Sequence, residues 1–244
     1  RRPIWIPPEL TLYREEGEAV ILPRGFLDRL RGELEGDSYH IVDERLFFPP
    51  LPLEFRGELR PYQERACLAM ARYGSGILVA PPGSGKTVVA MWLLARWRQP
   101  ALLICHTLDL GRQLAENARR WLGVEPGFIG DGTWEVGQEV TVALVQSLVS
   151  RPEATEDLAR QMGLVLVDEA HHTPARTFMD VLQRFPAAIR YGLTATPERR
   201  DGLGPFMEAV IGPVRAAISH AESGLFLRPR LEWVRTEFRF PYRD

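Results

Sequence analysis

Apolar residues in the central part of the chain form short runs that alternate with amphipathic segments of helical length. The apolar runs cover residues 76–80, 101–105, 140–145, 164–167 and 191–194. Segments with helical spacing of apolar residues lie at 61–72, 87–97, 108–121, 152–162 and 174–184. Short apolar runs separated by helices are typical of buried parallel strands. The pattern predicts an α/β fold, an open parallel sheet with helices on both faces.

The amino-terminal part has a different pattern. Two apolar stretches between residues 10 and 22 flank a polar turn, which predicts a β-hairpin, and a helix is expected at 25–34. A second hairpin is predicted at 40–48, turning around Asp43 and Glu44. Several prolines between residues 49 and 52 mark a linker.

These patterns divide the chain into three parts. We predict a small α+β domain at residues 1–52, an α/β domain at 57–220 and a strand-rich connector at 221–244. The chain begins without methionine and ends among strand-forming residues, so we expect it to be a piece of a longer protein.

Composition restricts the class of protein and the partners. The chain has 244 residues, of which 45% are hydrophobic and 25% charged, as in a globular domain. No apolar run approaches the roughly 18 residues that span a bilayer, and no leader pattern is present, so we expect a cytoplasmic location and no membrane partner. The net charge is only −2, so any DNA contact must come from a local patch. Cys67 and Cys105 lack metal-binding spacing, which predicts reduced thiols and no structural zinc.

Residues 80–87 read Ala-Pro-Pro-Gly-Ser-Gly-Lys-Thr and lie between a predicted strand and a predicted helix. That context predicts a phosphate-binding loop for ATP, although Ala80 replaces the usual glycine. Glycines let backbone N–H groups curve around phosphates, Lys86 reaches the β and γ phosphates, and Thr87 ligates Mg²⁺. Lys86 is the only lysine among 30 basic residues. The alternative is a plain turn with an incidental lysine. The predicted nucleotide-binding residues of the loop are Pro82, Gly83, Ser84, Gly85, Lys86 and Thr87.

Two carboxylates, Asp168 and Glu169, directly follow the apolar run 164–167. We assign Asp168 to Mg²⁺ and Glu169 to the base that activates the attacking water. The alternative is a solvated helix N-terminus, where acidic residues are favoured by the helix dipole. His171 and His172 have no third ligand at a zinc-binding spacing, so we interpret His171 as a catalytic residue that couples the site to its surroundings.

With these two sites placed, residues 57–215 resemble superfamily 2 helicases, closest to the XPB-like and type III restriction-subunit branch. The resemblance implies a RecA-like P-loop NTPase domain, the first of two such lobes, with a DEAH-type acidic motif. The segment 1–52 resembles the small module that precedes the motor in archaeal XPB relatives, either as a DNA-contacting module or as a packing appendage.

The resemblance assigns roles to further residues. Residues 59–63, Leu-Arg-Pro-Tyr-Gln, look like the adenine-side motif, which implies that Gln63 reads the base edge and Arg60 supports it. Residues 105–110 resemble a motif usually written with Pro-Thr. His106 replaces that proline, and Thr107 is the residue implied to contact the DNA backbone.

Two later segments complete the resemblance. Residues 145–148 look like a strand-contacting motif, which implies DNA contacts by Gln146 and Ser147. Residues 192–197 resemble the motif that couples hydrolysis to DNA through Thr194 and Thr196. Arg199 follows and is expected to contact phosphates, while Arg200 reverses a charge relative to the Arg-Glu-Asp string of XPB proteins.

The implied function is that of an ATP-dependent DNA helicase or double-strand DNA translocase, acting for instance in DNA repair. Its DNA contacts are expected to be to the backbone and independent of sequence. The second lobe of such motors supplies an arginine finger, so residues 1–244 are expected to bind nucleotide but hydrolyse it poorly. An RNA helicase and a non-enzymatic nucleic-acid-binding module with a vestigial ATP site are the alternatives.

Overall fold

The computed structural model describes residues 13–26, 30, 32–33, 40–168, 180–195 and 204–224. The strands are β1 Arg14–Glu16, β2 Ala19–Ile21, β3 Ser75–Val79, β4 Ala101–Cys105, β5 Gly127–Gly130, β6 Thr133–Trp134, β7 Val140–Leu144, β8 Leu164–Asp168, β9 Ile189–Thr194 and β10 Val214–Ala217. The α-helices are α1 Pro61–Ala71, α2 Lys86–Trp97, α3 Leu108–Leu122, α4 Val145–Ser150, α5 Pro152–Ala159, α6 Gly204–Ile211 and α7 His220–Ser223.

Eight of these strands form one sheet in the order β10-β3-β9-β8-β4-β7-β5-β6. Every neighbouring pair is parallel except β5 and β6, which form an antiparallel hairpin at one edge. The five predicted strands are all present and the predicted parallel sheet is confirmed. Strands β5, β6 and β10 were not predicted, because they are short and lie towards the edges.

The sheet is buried on both faces. Neighbouring residues of one strand, such as Leu102 and Leu103 of β4, belong to two different hydrophobic clusters. Helices α1, α2 and α3 cover one face, and α4, α5 and α6 cover the other. Successive side chains of a strand point to opposite faces, so a strand covered on both sides needs an uninterrupted apolar run. The predicted helices on both faces are therefore confirmed.

Several element boundaries differ by one to three residues from the predicted ones. The strand predicted at 140–145 ends at Leu144, and Val145 is already the first residue of α4. The helix predicted at 152–162 ends at Ala159. As a consequence, Gln146 and Ser147 lie on a short helix directly after β7.

The amino-terminal hairpin β1–β2 is confirmed, with Gly17 at a φ of 62° in its turn. The second predicted hairpin, at 40–48, is wrong. Leu46 instead forms a parallel bridge to Ala187, and it exchanges 2.8 Å backbone hydrogen bonds with Pro186 and Ala188. Partners in the α/β domain thus satisfy the backbone groups that a local hairpin would have used.

The proline-rich segment after residue 48 lies along the α/β domain. The Leu51 N–H donates to the Arg98 carbonyl over 2.8 Å, Leu53 is buried, and Phe55 stacks on Trp121 with ring centroids 5.8 Å apart. The predicted linker is therefore packed against α2 and α3. The domain boundary at residue 52 stays a prediction.

Some predicted elements fall largely outside the described residues. They are the helices at 25–34 and 174–184 and most of the connector at 221–244, whose first residues belong to α7. None of the described helices has the length and apolar character that crossing a membrane requires.

Candidate active site

The carboxyl ends of the parallel strands meet at one edge of the sheet, where ligands of such sheets bind. The loop 80–85 follows β3, Thr194 ends β9 and Asp168 ends β8, and these three strands are neighbours. The next two strands, β4 and β7, lead into Thr107 and Gln146. The predicted nucleotide residues and the predicted DNA residues therefore lie side by side on one edge.

Two glycines give the loop 80–85 its shape. Gly83 and Gly85 have φ angles of 79° and 86°, which side chains with a Cβ rarely adopt. The N–H and the hydroxyl of Ser84 both donate to the Pro81 carbonyl, over 3.2 and 2.7 Å. A Cβ at Gly85 would also collide with Nε2 of Gln63. The loop is thus a tight cradle leading into the N-terminus of α2, and it fits a phosphate group.

Lys86, the first residue of α2, lies against this loop. Its side chain is largely buried, with the residue 9% exposed, and Nζ donates to the Ala80 carbonyl over 3.0 Å. The ammonium group is therefore already held at the loop, not extended into solvent. A compact cation at this point matches a phosphate ligand.

Asp168 is the last residue of β8 and is 8% exposed. Burial, and secondarily the negative charge of Asp168, raises the pKa of the Cys105 thiol on the neighbouring strand to about 12. The half-buried Thr87 lies in the first turn of α2. A carboxylate and a hydroxyl are oxygen donors that Mg²⁺ accepts, so this donor set fits the predicted metal. Glu169 and His171 lie outside the described residues.

The residues predicted to lie beside the adenine pack directly on the loop 80–85. Gln63 is 5% exposed; its Oε1 accepts the Arg60 N–H over 2.9 Å, and its Nε2 donates to the Ser84 carbonyl over 3.0 Å. The Tyr62 hydroxyl donates to the same carbonyl over 3.2 Å and accepts a hydrogen bond from Arg60. Sequence reasoning missed Tyr62, whose only signal was its place between two selected residues.

The predicted DNA residues lie on two neighbouring strand ends. Thr107 is exposed and caps α3, its hydroxyl accepting the Leu110 N–H over 3.3 Å. Gln146 is exposed, and its Nε2 donates to the His106 carbonyl over 3.4 Å. Ser147 is half-buried beside it. The structure thus brings Thr107, Gln146 and Ser147 together, while Thr196 and Arg199 lie outside the described residues.

A parallel sheet with a phosphate loop after one strand and an aspartate at the end of a nearby strand defines a P-loop NTPase domain of the RecA-like type. Residues 56–199 match the family model of the type III restriction enzyme, res subunit. The match covers more than half of the chain, so the chain belongs to this family, a branch of the superfamily 2 helicases. The resemblance seen in the motifs is confirmed.

Two proteins with similar sequences support the family assignment. The chain is 36% identical over 166 residues to the DNA 3'-5' translocase XPB2 of Sulfurisphaera tokodaii, covering 68% of this chain and 37% of that protein. It is 33% identical over 222 residues to the DNA 3'-5' helicase XPB of Kineococcus radiotolerans, covering 86% and 38%.

A solved structure shows the same fold. The UvsW helicase from bacteriophage T4 superposes with a TM-score of 0.61 at 17% identity, covering 82% of this chain and 80% of that one. At this identity the likeness supports the RecA-like fold alone. The chain spans less than two fifths of the length of the two curated relatives, 37% and 38%.

Proposed function

We propose that this chain is the ATP-binding half of an ATP-dependent DNA helicase or double-strand DNA translocase. The observation that carries the proposal is the common sheet edge, where the phosphate loop and Asp168 adjoin the exposed Thr107 and Gln146. The relatives' names, a DNA 3'-5' translocase and a DNA 3'-5' helicase, support DNA as the substrate.

In this proposal the loop residues and Lys86 bind the phosphates of ATP, while Thr87 and Asp168 hold Mg²⁺. Bound Mg²⁺ would neutralise phosphate charge. Glu169 follows Asp168 in the chain and would accept a proton from the attacking water. Arg60 and Gln63 would border the adenine.

Coupling between hydrolysis and DNA would run through β9, which lies between β3 with its phosphate loop and β8 with Asp168. Thr194 ends β9, and its carbonyl accepts the Ala80 N–H of the phosphate loop over 2.9 Å. Thr196 and His171 would continue this connection beyond the described residues. The coupling proposal is supported by this backbone contact between the loop and β9.

DNA would be bound through its backbone by Thr107, Gln146, Ser147 and Arg199. Hydroxyl and amide groups at an exposed edge suit phosphate contacts, which carry no sequence information. A second RecA-like lobe elsewhere in the protein would close over the nucleotide and supply the arginine finger.

The function is tested by measuring the rate of phosphate release from ATP by a longer protein that contains this chain and the proposed second lobe. We expect ATP hydrolysis to rise on adding double-stranded DNA of any sequence and to stay near its basal rate with RNA. Stimulation by RNA alone would support an RNA helicase, and absence of hydrolysis despite tight ATP binding would support the non-enzymatic module.

A further inference from the structure

The Ser84 carbonyl of the phosphate loop receives hydrogen bonds from two side chains of α1. The Tyr62 hydroxyl donates over 3.2 Å and the Gln63 Nε2 over 3.0 Å. Both residues are buried, at 8% and 5% exposure. Two buried donors on one carbonyl fix the direction of that carbonyl, because leaving either donor unpaired would cost free energy.

The direction of this carbonyl determines where the next N–H points. A trans peptide is planar and holds its C=O and N–H on opposite sides. The described residues contain no cis peptide bond. With the Ser84 carbonyl turned towards α1, the Gly85 N–H therefore points away from α1. Among the described residues we find no acceptor for this N–H.

We propose that Tyr62 and Gln63 are positioning residues that aim the Gly85 N–H at the nucleotide phosphates. This inference rests on the proposed ATP-binding function and deepens it. Arg60 contributes by donating to the Tyr62 hydroxyl over 3.2 Å, so that the hydroxyl proton is directed to Ser84.

The role assigned here concerns the phosphates and is separate from the proposed position of Gln63 beside the adenine. Both ends of the Gln63 amide are used within the protein, Oε1 by the Arg60 N–H and Nε2 by the Ser84 carbonyl. Tyr62 uses its hydroxyl in the same way. Loss of the Tyr62 hydroxyl should therefore weaken every ligand that carries a phosphate chain by the same factor.

The test is displacement of a fluorescent ATP analogue by ATP, GTP and tripolyphosphate, each with Mg²⁺. Tyr62→Phe removes only the hydroxyl, and we expect all three affinities to fall by about 2- to 10-fold. Tyr73→Phe is the matched control, because Tyr73 follows the same helix and is 39% exposed. Its affinities should equal those of the wild type.

A second variant keeps the inference testable if Tyr62→Phe does not fold. Gln63→Glu can still accept the Arg60 N–H but cannot donate to Ser84, and it should weaken the binding of tripolyphosphate as well as that of ATP and GTP. Wild-type affinities in both variants would overturn the inference, and so would a loss for ATP alone, which indicates base recognition. Failure of the wild type to bind any nucleotide would instead overturn the proposed function.

Discussion

The Ala80 N–H donates to the Thr194 carbonyl over 2.9 Å, which joins the first residue of the phosphate loop to the last residue of β9. The preceding residue, Val79, pairs with Thr194 in the sheet register. Any displacement of the loop would therefore act directly on the end of β9. The same strand is held at its other end by Arg190, so β9 is fixed at two points.

Lys86→Ala should weaken ATP binding by about 1.5–3 kcal/mol, or roughly 10- to 150-fold, because it removes a charged donor to phosphate. Calorimetry with a non-hydrolysable ATP analogue measures the loss. Arg96→Ala, at the exposed far end of the same helix, serves as the control and should bind as the wild type does. Unchanged affinity in a folded Lys86→Ala protein would remove the phosphate-loop assignment.

Glu169→Gln should keep the binding of Mg²⁺ and ATP but lower turnover of the protein with its second lobe by about 10²- to 10⁴-fold. The amide has nearly the same shape as the carboxylate but cannot accept the proton of water. Steady-state phosphate release measures the effect, with the exposed Glu153→Gln as control. Turnover within a few fold of the wild type would contradict the assignment of Glu169 as base.

DNA binding by residues 1–244 should be weak, independent of sequence and steeply dependent on salt, because the proposed contacts are to phosphates. Gln146→Ala should weaken it by about 2- to 10-fold without changing the salt slope, since no charge is lost. Fluorescence anisotropy at several salt concentrations measures both quantities. Gln138→Ala is the control. Gln138 is exposed and precedes β7, so it lies at the amino-terminal ends of the strands, away from the proposed DNA-binding residues.

Thr107→Ala combined with Arg199→Ala should weaken DNA binding further and reduce the salt slope by about one unit. Because Thr107 also caps α3, its loss should lower the free energy of unfolding by about 1 kcal/mol. A tight, sequence-selective complex that is insensitive to salt would contradict phosphate contacts at this edge.

Arg190→Met should lower the free energy of unfolding by roughly 2–5 kcal/mol. The Arg190 guanidinium is buried and donates to the carbonyls of Leu182, Phe185 and Val210 over 2.8, 2.6 and 2.9 Å. The variant would leave these acceptors without their donor. Burial also holds the pKa of Arg190 well below its usual value.

Urea unfolding measures the free energy of unfolding of the Arg190→Met variant. Arg160→Met is the control, because Arg160 is exposed and directly follows α5. That control should stay within about 0.5 kcal/mol of the wild type. Equal stability of the two variants would show that the buried guanidinium contributes nothing to holding β9.

The chain of residues 1–244 should show negligible ATP hydrolysis, with or without DNA. A longer protein with the second lobe should be faster by about 10³- to 10⁵-fold, because that lobe stabilises charge on the γ-phosphate. Phosphate release from both proteins decides the question. If the shorter chain matched the stimulated rate of the longer one, its own Arg199 or Arg200 would be the first candidates for the finger.

The sequence by itself determined the parallel sheet, its two covered faces and the place of the phosphate loop. These features follow from local patterns, since apolar runs and helical spacing reflect burial of each segment, and a Gly-rich string after a strand has one common use. Lys86 and Asp168 could be selected on those grounds, whereas Gln63 was selected only through the resemblance to a family motif.

Only the tertiary structure decided which backbone and side-chain groups meet. The hydrogen bond between Ala80 and Thr194, the pairing of Leu46 with Ala187 and the two donors on Ser84 all join segments distant in the chain. No local pattern encodes such contacts, because they depend on strand order and on how helices lie across the sheet. The prediction of a hairpin at 40–48 was wrong for this reason. The backbone of Leu46 pairs with a segment some 140 positions away, and only the fold brings that segment close to it.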